Sequence, residues 1–153
     1  MTECWICAKH EQGDAAQGGV IFEDDTVYVG HVHALDGAAY RVYLMVEPRR
    51  HVADLGDLTE EEACSIGRLV NRLARILKDI EGAEHVYSFI FGDAVPHLHA
   101  HVAPRYPGTP PEYWGARLRE WPDAPRVGVD EMRVVSKRLA EPLRASQWQP
   151  PKA

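Results

Sequence analysis

Three histidines, His97, His99 and His101, stand two residues apart within residues 93–105. Alternate side chains of an extended strand project to the same face, so the three imidazoles would line one face while the apolar residues between them pack behind. A buried polar ring without a hydrogen-bond partner is costly, and the cluster therefore indicates a chemical role. Imidazole suits metal ligation and also nucleophilic or proton-transfer chemistry near neutral pH. An accidental cluster or a solvated edge strand is the alternative.

The elements before this segment are predicted to position it. Thr59 and Glu62 form a capping-box pattern, after which apolar residues recur at helical spacing until Gly82. Residues 85–91 are rich in strand-forming types, and a Gly-Asp turn at residues 92–93 redirects the chain. The strand before the turn and the histidine segment are therefore expected to be antiparallel neighbours.

Shorter strands are predicted nearer the start of the chain. Residues 20–22 and 26–29 indicate a hairpin around an acidic turn. Residues 40–46 alternate as one strand, which Pro48 ends. Strands combined with one long helix favour the α+β class over a parallel sheet with many crossovers.

The last third of the chain is less regular. Residues 106–125 are rich in proline and aromatic residues, which favours an ordered loop whose rings anchor it, stack on a base or contact another subunit. Residues 128–140 predict a second helix that stops before Pro142. We expect one domain over residues 1–140 and a tail over residues 141–153.

Composition narrows the classes of function. The 153 residues are 45% hydrophobic, which fits one domain with a modest core. A formal charge of −6 argues against a protein that holds long nucleic acids, whereas small phosphorylated ligands remain open. No apolar run approaches the ~20 residues of a membrane span, and the first residues lack the pattern of a signal peptide. A cytoplasmic protein is expected.

The cysteines suggest a metal site. Cys4 and Cys7 have the spacing that lets two thiolates reach one tetrahedral zinc, although a redox pair has the same spacing. Cys64 stands alone, so a disulfide framework is not expected. His51 and His97 are candidates for the two further ligands. A closed four-ligand site leaves no position for water, so such a zinc would be structural.

These patterns together resemble the histidine triad (HIT) family, whose signature His-φ-His-φ-His-φ-φ is met by residues 97–103. Residues 22–25 and 46–51, the capped helix and the CxxC at residues 4–7 are similar to zinc-bearing bacterial members. The resemblance covers residues 1–105 well. It implies a HIT-like antiparallel sheet of about five strands with one long helix and a shorter C-terminal helix. It also implies a homodimer.

The resemblance implies nucleotidyl transfer to a histidine. His99 matches the family nucleophile, which attacks an α-phosphorus and forms a phosphoramidate. His101 matches the residue that binds phosphate oxygens, and Arg105 is expected to orient a phosphate, with a surface ion pair as its alternative. The structural zinc site that the resemblance implies consists of Cys4, Cys7, His51 and His97.

Two departures from the family pattern bear on the substrate. Asp93 replaces a phosphate-contacting glutamine, and it is predicted either as a general acid for the leaving group or as a turn residue after Gly92. Residues 26–33 lack the acid that relatives use to bind ribose hydroxyls. His31 and His33, in this same segment, are predicted to face solvent or lie in a loop.

The favoured function is a nucleotide hydrolase that acts on a nucleoside phosphate ester, phosphoramidate or dinucleoside polyphosphate through a nucleotidyl-histidine intermediate. In a second hypothesis, phosphate or another acceptor replaces water, which makes the protein a phosphorylase or nucleotidyltransferase. In a third, the protein is a zinc-stabilised nucleotide-binding module without turnover.

Overall fold

A computed structural model describes residues 4–34 and 36–145 of the chain. Its helices are α1 (Trp5–Gln12), α2 (Glu60–Glu81) and α3 (Val129–Ala145). Its strands are β1 (Val20–Glu23), β2 (Val27–His31), β3 (Ala38–Tyr40), β4 (Leu44–Pro48), β5 (His85–Phe89), β6 (Ala100–Arg105) and β7 (Arg126–Gly128). Short 3₁₀ turns occupy Gly13–Ala15, Leu55–Asp57, Pro111–Tyr113 and Gly115–Glu120.

Five of the strands form one antiparallel sheet in the order β1-β2-β4-β6-β5, and β3 and β7 form a separate antiparallel pair. The α+β prediction, with a five-stranded antiparallel sheet, a long helix and a C-terminal helix, is confirmed. In the register of the sheet, His101 lies opposite Met45 of β4 and Phe89 of β5. The central position of β6 therefore places the last histidine of the triad between two ordered strands.

The predicted boundaries of the long helix are confirmed. The Thr59 hydroxyl accepts from the Glu62 amide at 3.2 Å, and the Glu62 carboxylate accepts from the Thr59 amide at 2.8 Å. Gly82 ends the helix in the left-handed region at φ 69°, which a residue with a Cβ adopts less readily. Leu69, Leu73 and other apolar residues of α2 pack against the sheet and form the main core.

The prediction of one strand over residues 40–46 is wrong. Tyr40 ends β3 and pairs with Arg126 of β7, whereas β4 begins only at Leu44. Between the two strands, the Arg41 amide donates to the carbonyl of Pro125 at 2.7 Å. The alternating pattern continues through the break, so it did not reveal that the two halves pair with different strands.

The C-terminal helix is longer than predicted, because α3 continues through Pro142 to Ala145. Proline lacks an amide hydrogen and disfavours a helix interior. Leu143, however, is completely buried in the main core, and its carbonyl accepts from the Arg72 guanidinium. Tertiary packing therefore keeps the last turn helical.

His31 is buried, contrary to the prediction that it faces solvent, whereas His33 is exposed in a loop as predicted. The His31 side chain is in β2, is 2% exposed and packs on the backbone of Gly18, where an added Cβ would lie 2.9 Å from the ring. Neither ring nitrogen meets the geometry of a hydrogen bond. Burial lowers the pKa of His31 to about 4, and the Met132 backbone opposes only part of this effect.

We predict that His31 makes the fold sensitive to acid. Its pKa is depressed in the folded state, so the unfolded chain binds the proton first and stability falls as the pH drops from about 6.5 towards about 4. Between about pH 7 and 5, the free energy of unfolding should fall by about 2 kcal/mol less in His31→Leu than in the wild type. Urea unfolding at both pH values measures this difference. His85→Gln, a change at an exposed histidine, should behave as the wild type, and an equal pH dependence in His31→Leu would contradict the assignment.

Candidate functional site

The histidine segment leads into β6, which begins at Ala100, so His97 and His99 precede the strand rather than lie in it. The predicted alternation is present, because Leu98 and Ala100 pack into the main core. His97 is completely buried, His99 is 7% exposed and His101 is half buried. The three rings thus differ in access although they share one face.

A hydrogen bond fixes the orientation of the His99 ring. Its Nδ1 lies 2.7 Å from the carbonyl oxygen of His97, and a ring nitrogen can only donate to a carbonyl. The proton of neutral His99 is therefore on Nδ1, which leaves the lone pair on Nε2. The ring lies nearly perpendicular to His101, with 4.9 Å between the ring centroids.

His101 is packed between aromatic rings. Its centroid lies 5.1 Å from that of Phe89 and 5.4 Å from that of Tyr43. Burial, together with the nearby His99 and Arg119, lowers the pKa of His101 to about 4. The ring is therefore neutral at pH 7 and offers a single N–H donor.

A cavity of about 620 Å³ opens beside these rings and is large enough for a small-molecule ligand. Three of its lining residues, His99, His101 and Arg119, can donate to a phosphate, and a fourth, Asp93, adds a carboxylate. The rest of the wall is largely apolar or aromatic: Trp5, Val32, His33, Met45, Phe91, Gly92 and Ala94.

The cation at this cavity is Arg119, whereas Arg105 lies elsewhere. Arg119 is in the 3₁₀ turn Gly115–Glu120, and its guanidinium lies 4.8 Å from the centroid of the Tyr43 ring. Sequence reasoning missed it, because an arginine in an irregular loop has no periodicity that indicates its direction. The turn is part of the aromatic loop, which the composition alone identified as ordered.

Arg105 forms an ion pair, which the sequence analysis gave as the alternative to a role in orienting phosphate. Its guanidinium is 3.6 Å from the carboxylate of Glu84 and donates to the Tyr87 hydroxyl at 3.2 Å. It also lies 4.0 Å from the centroid of Trp114. The side chain thus anchors the aromatic loop, and it does not line the histidine cavity.

The four predicted zinc ligands come together in the structure, with their ligand atoms within 4.8 Å of one another. The Cys4 and Cys7 sulfurs lie 3.5 and 3.4 Å from Nδ1 of His97, and the Cys7 sulfur lies 3.4 Å from Nδ1 of His51. Zinc with bonds of about 2.3 Å to sulfur and about 2.0 Å to nitrogen needs a sulfur–nitrogen separation of about 3.5 Å in a tetrahedron. The residues therefore fit zinc.

A family model described as the HIT domain matches residues 15–108. The chain belongs to the HIT family. Membership supports a function in nucleotide binding or nucleotide processing. A comparison with curated proteins found no match.

Solved structures share the fold of this HIT protein. A Zn-bound histidine triad family protein from Mycobacterium smegmatis is 24% identical, with a TM-score of 0.64 over 93% of this chain and 94% of that one. A histidine triad protein from Sinorhizobium meliloti is 23% identical, with a TM-score of 0.63 over 80% of this chain and 87% of that one. A hypothetical histidine triad nucleotide-binding protein from Sulfolobus tokodaii is 16% identical, with a TM-score of 0.66 over 92% of both chains.

A search of the helices over residues 4–34 and 36–145 found none long and apolar enough to cross a membrane.

The segment of this HIT protein that carries Cys4 and Cys7 is attached to the sheet by a buried ionic cluster that sequence reasoning missed. Glu47 of β4 is completely buried, and its carboxylate accepts from Lys9 at 2.5 Å and lies 2.8 Å from Nε2 of His10. A buried carboxylate needs such partners, since it has lost its hydration. The His10 ring meets His97 edge to face at 5.5 Å, so the cluster lies directly beside the zinc ligands.

We predict that the protein binds about one zinc ion per chain. Binding should require both Cys7 and His97, two ligands that are far apart in the sequence. Cys7→Ser and His97→Ala should each lose most of the metal and lower the thermal midpoint by roughly 10 °C, as expected for about 3 kcal/mol in a chain of this size. Metal analysis and thermal unfolding with and without a chelator measure both effects. Cys64→Ser is the matched control, because Cys64 is an exposed free cysteine outside the site. Full zinc content after His97→Ala would rule out His97 as a ligand.

Proposed function

We propose that this HIT protein is a nucleotide hydrolase that acts through a nucleotidyl intermediate on His99. Its substrate is a nucleoside phosphate ester, a phosphoramidate or a dinucleoside polyphosphate. The observation that carries the proposal is the 2.7 Å contact between Nδ1 of His99 and the His97 carbonyl oxygen, in a ring that lines the cavity. This contact leaves Nε2 as the nucleophilic nitrogen and holds the ring in one orientation, which lowers the entropy lost in the attack.

The reaction has two steps. Nε2 of His99 attacks the α-phosphorus, a phosphorus–nitrogen bond forms, and the bond from phosphorus to the leaving group breaks with its electron pair. Water then attacks the same phosphorus, the phosphorus–nitrogen bond breaks, and a nucleoside monophosphate is released. The proton from water passes to the solvent or to the departed group, and His99 returns to its neutral form.

Two side chains are proposed to stabilise the charge that develops on the phosphoryl oxygens. Neutral His101 donates its N–H, and the Arg119 guanidinium supplies positive charge. Both line the cavity with His99. Arg119 thus takes the role that the sequence assigned to Arg105.

Asp93 keeps both of its predicted roles. It lies at the cavity, which suits a general acid that protonates the leaving group. It is also exposed and follows Gly92, whose φ of 77° is typical of a turn. If Asp93 is only a turn residue, its carboxylate still lines the cavity and disfavours substrates that carry additional negative charge beside it.

Space for a larger leaving group supports the dinucleoside polyphosphates among the proposed substrates. A second cavity of about 270 Å³ shares Val32, His33 and Arg119 with the first, so the two adjoin. Asp36 and Arg126 also line the second cavity. A substrate with a group on each side of the reacting phosphate can occupy both cavities, whereas a simple phosphoramidate fills one.

The central test is removal of the proposed nucleophile. His99→Ala should lower turnover of diadenosine polyphosphates and adenosine phosphoramidate on the order of 10⁴-fold or more, because no other group supplies the nucleophilic nitrogen. Steady-state rates measure the loss, and acid-labile labelling of the wild type by a radioactive nucleotide detects the intermediate. His85→Gln, outside the cavity, is the control and should keep full activity. Undiminished turnover in His99→Ala would exclude the mechanism.

Product analysis separates the two remaining hypotheses. In phosphate buffer, a nucleoside diphosphate product from adenosine phosphoramidate would indicate a phosphorylase, and a monophosphate would indicate hydrolysis. Nucleotide binding without any turnover would indicate a binding module. The homodimer and the cytoplasmic location stay predictions.

Arg119→Gln should lower kcat/KM about 10-fold, since a charged hydrogen bond to phosphate contributes roughly 1.5–3 kcal/mol and water replaces part of it. Arg117→Gln is a matched control, because Arg117 lies in the same turn but pairs with Glu120 at 2.9 Å and does not line the cavity. Steady-state kinetics of the two variants provide the measurement. Equal kcat/KM values for both would remove Arg119 from the substrate site.

A further inference from the structure

Trp5 links the zinc site to the substrate cavity. It stands between the ligands Cys4 and Cys7, begins α1 and lines the same cavity as His99. Its side chain is 38% exposed, so the ring offers apolar surface to the cavity.

The distribution of polar groups indicates which part of a nucleotide would meet this ring. The phosphate needs donors and positive charge, and His99, His101 and Arg119 provide them. The base is planar and requires apolar or aromatic surface, for which the cavity offers Trp5 and Phe91 as its large exposed rings.

The position of the Trp5 ring depends on the segment that carries it. Helix α1 has only eight residues, and its N-cap residue Cys4 makes no side-chain capping hydrogen bond. A helix of this length is marginal without tertiary anchors. Lys9, which is itself bonded to Glu47, lies 5.2 Å from the ring centroid of Trp5 and holds the later part of the helix.

At the start of the helix, the anchors are the buried side chain of Ile6 and the two cysteine sulfurs. The Cys4 and Cys7 sulfurs approach Nδ1 of the buried His97, so a zinc ion there would join both ends of the first turn to the histidine segment. Trp5 lies within that turn. Without the metal, Ile6 still packs in the interior, but the two thiols and two imidazoles add only weak contacts to hold the turn.

We infer that Trp5 is the stacking surface for the substrate's base and that zinc ligation by Cys4 and Cys7 sets its position, so that zinc and nucleotide bind cooperatively. This inference rests on the proposed function, because it places a nucleotide in this cavity. Linkage requires the effect to be reciprocal: zinc tightens nucleotide binding, and the nucleotide tightens zinc binding by the same factor.

The first experiment tests stacking. Calorimetry on zinc-loaded protein gives Kd for AMP and for ribose 5-phosphate, which lacks the base. Trp5→Leu should weaken AMP binding by roughly 5-fold to 100-fold, the range expected for one base on an aromatic ring, and should leave ribose 5-phosphate unchanged. Trp5→Phe should keep most of the affinity. An unchanged Kd for AMP in Trp5→Leu would overturn the inference.

Trp114→Leu is the matched control. Trp114 is also an exposed tryptophan, but it contacts Arg105 and does not line the cavity. The expected result is the wild-type Kd for AMP. An equal loss of affinity in both leucine variants would show a general effect of removing a surface ring and would also overturn the inference.

The second experiment tests cooperativity without reference to catalysis. Chelator titration gives the zinc affinity of the wild type and of Trp5→Leu, each with and without saturating AMP. AMP should tighten zinc binding in the wild type by the same factor by which zinc tightens AMP binding, and this factor should fall close to one in Trp5→Leu. If Trp5→Leu weakens AMP binding equally in the zinc-loaded and zinc-free protein, the metal does not set the position of the ring and the inference fails.

The outcomes also separate this inference from the proposed function. If the wild type binds AMP but shows no His99-dependent turnover, the hydrolase proposal is excluded. The coupling between zinc and nucleotide is then still judged by the two experiments above. If turnover depends on His99 but Trp5→Leu binds AMP and zinc as the wild type does, only the coupling is excluded. If the wild type binds no nucleotide, both the hydrolase proposal and the coupling are excluded.

Discussion

His97 joins three parts of the molecule through three different atoms. Its Nδ1 faces the cysteine sulfurs, its Nε2 lies 2.9 Å from the carbonyl oxygen of Pro48 at the end of β4, and its own carbonyl accepts from His99. Since Nε2 must donate to Pro48, Nδ1 is free to ligate zinc. One buried residue therefore sets the tautomer of the metal ligand and of the proposed nucleophile, and it connects both to the sheet.

The rest of the site depends on neutral imidazoles. Burial lowers the pKa of His97 and of His101, so both rings are uncharged at neutral pH. The positive charge comes instead from Arg119, which is exposed and can adapt to the ligand. This division suits an acidic chain with a net charge of −6, because attraction of an anionic ligand remains local to the cavity.

Much of the fold could be predicted from local patterns. The capping box at Thr59, the left-handed Gly82 and the period of α2 each depend on neighbouring residues, and the structure confirms all three. The prediction for residues 40–46 failed because alternation reports which way side chains point and not which strand is the partner. The early end predicted for α3 failed because the packing of Leu143 outweighs the local cost of Pro142.

The sequence by itself determined the chemical types of the site: alternate histidines on one extended face, a thiolate pair that suits zinc, and a capped helix that packs behind them. Only the tertiary structure decided which distant residues meet. It buried His31, placed Trp5 in the cavity wall and placed Arg119 instead of Arg105 there as the cation. The physical reason is that local periodicity fixes the face a side chain occupies, whereas sheet register and the course of a loop fix what that face contacts.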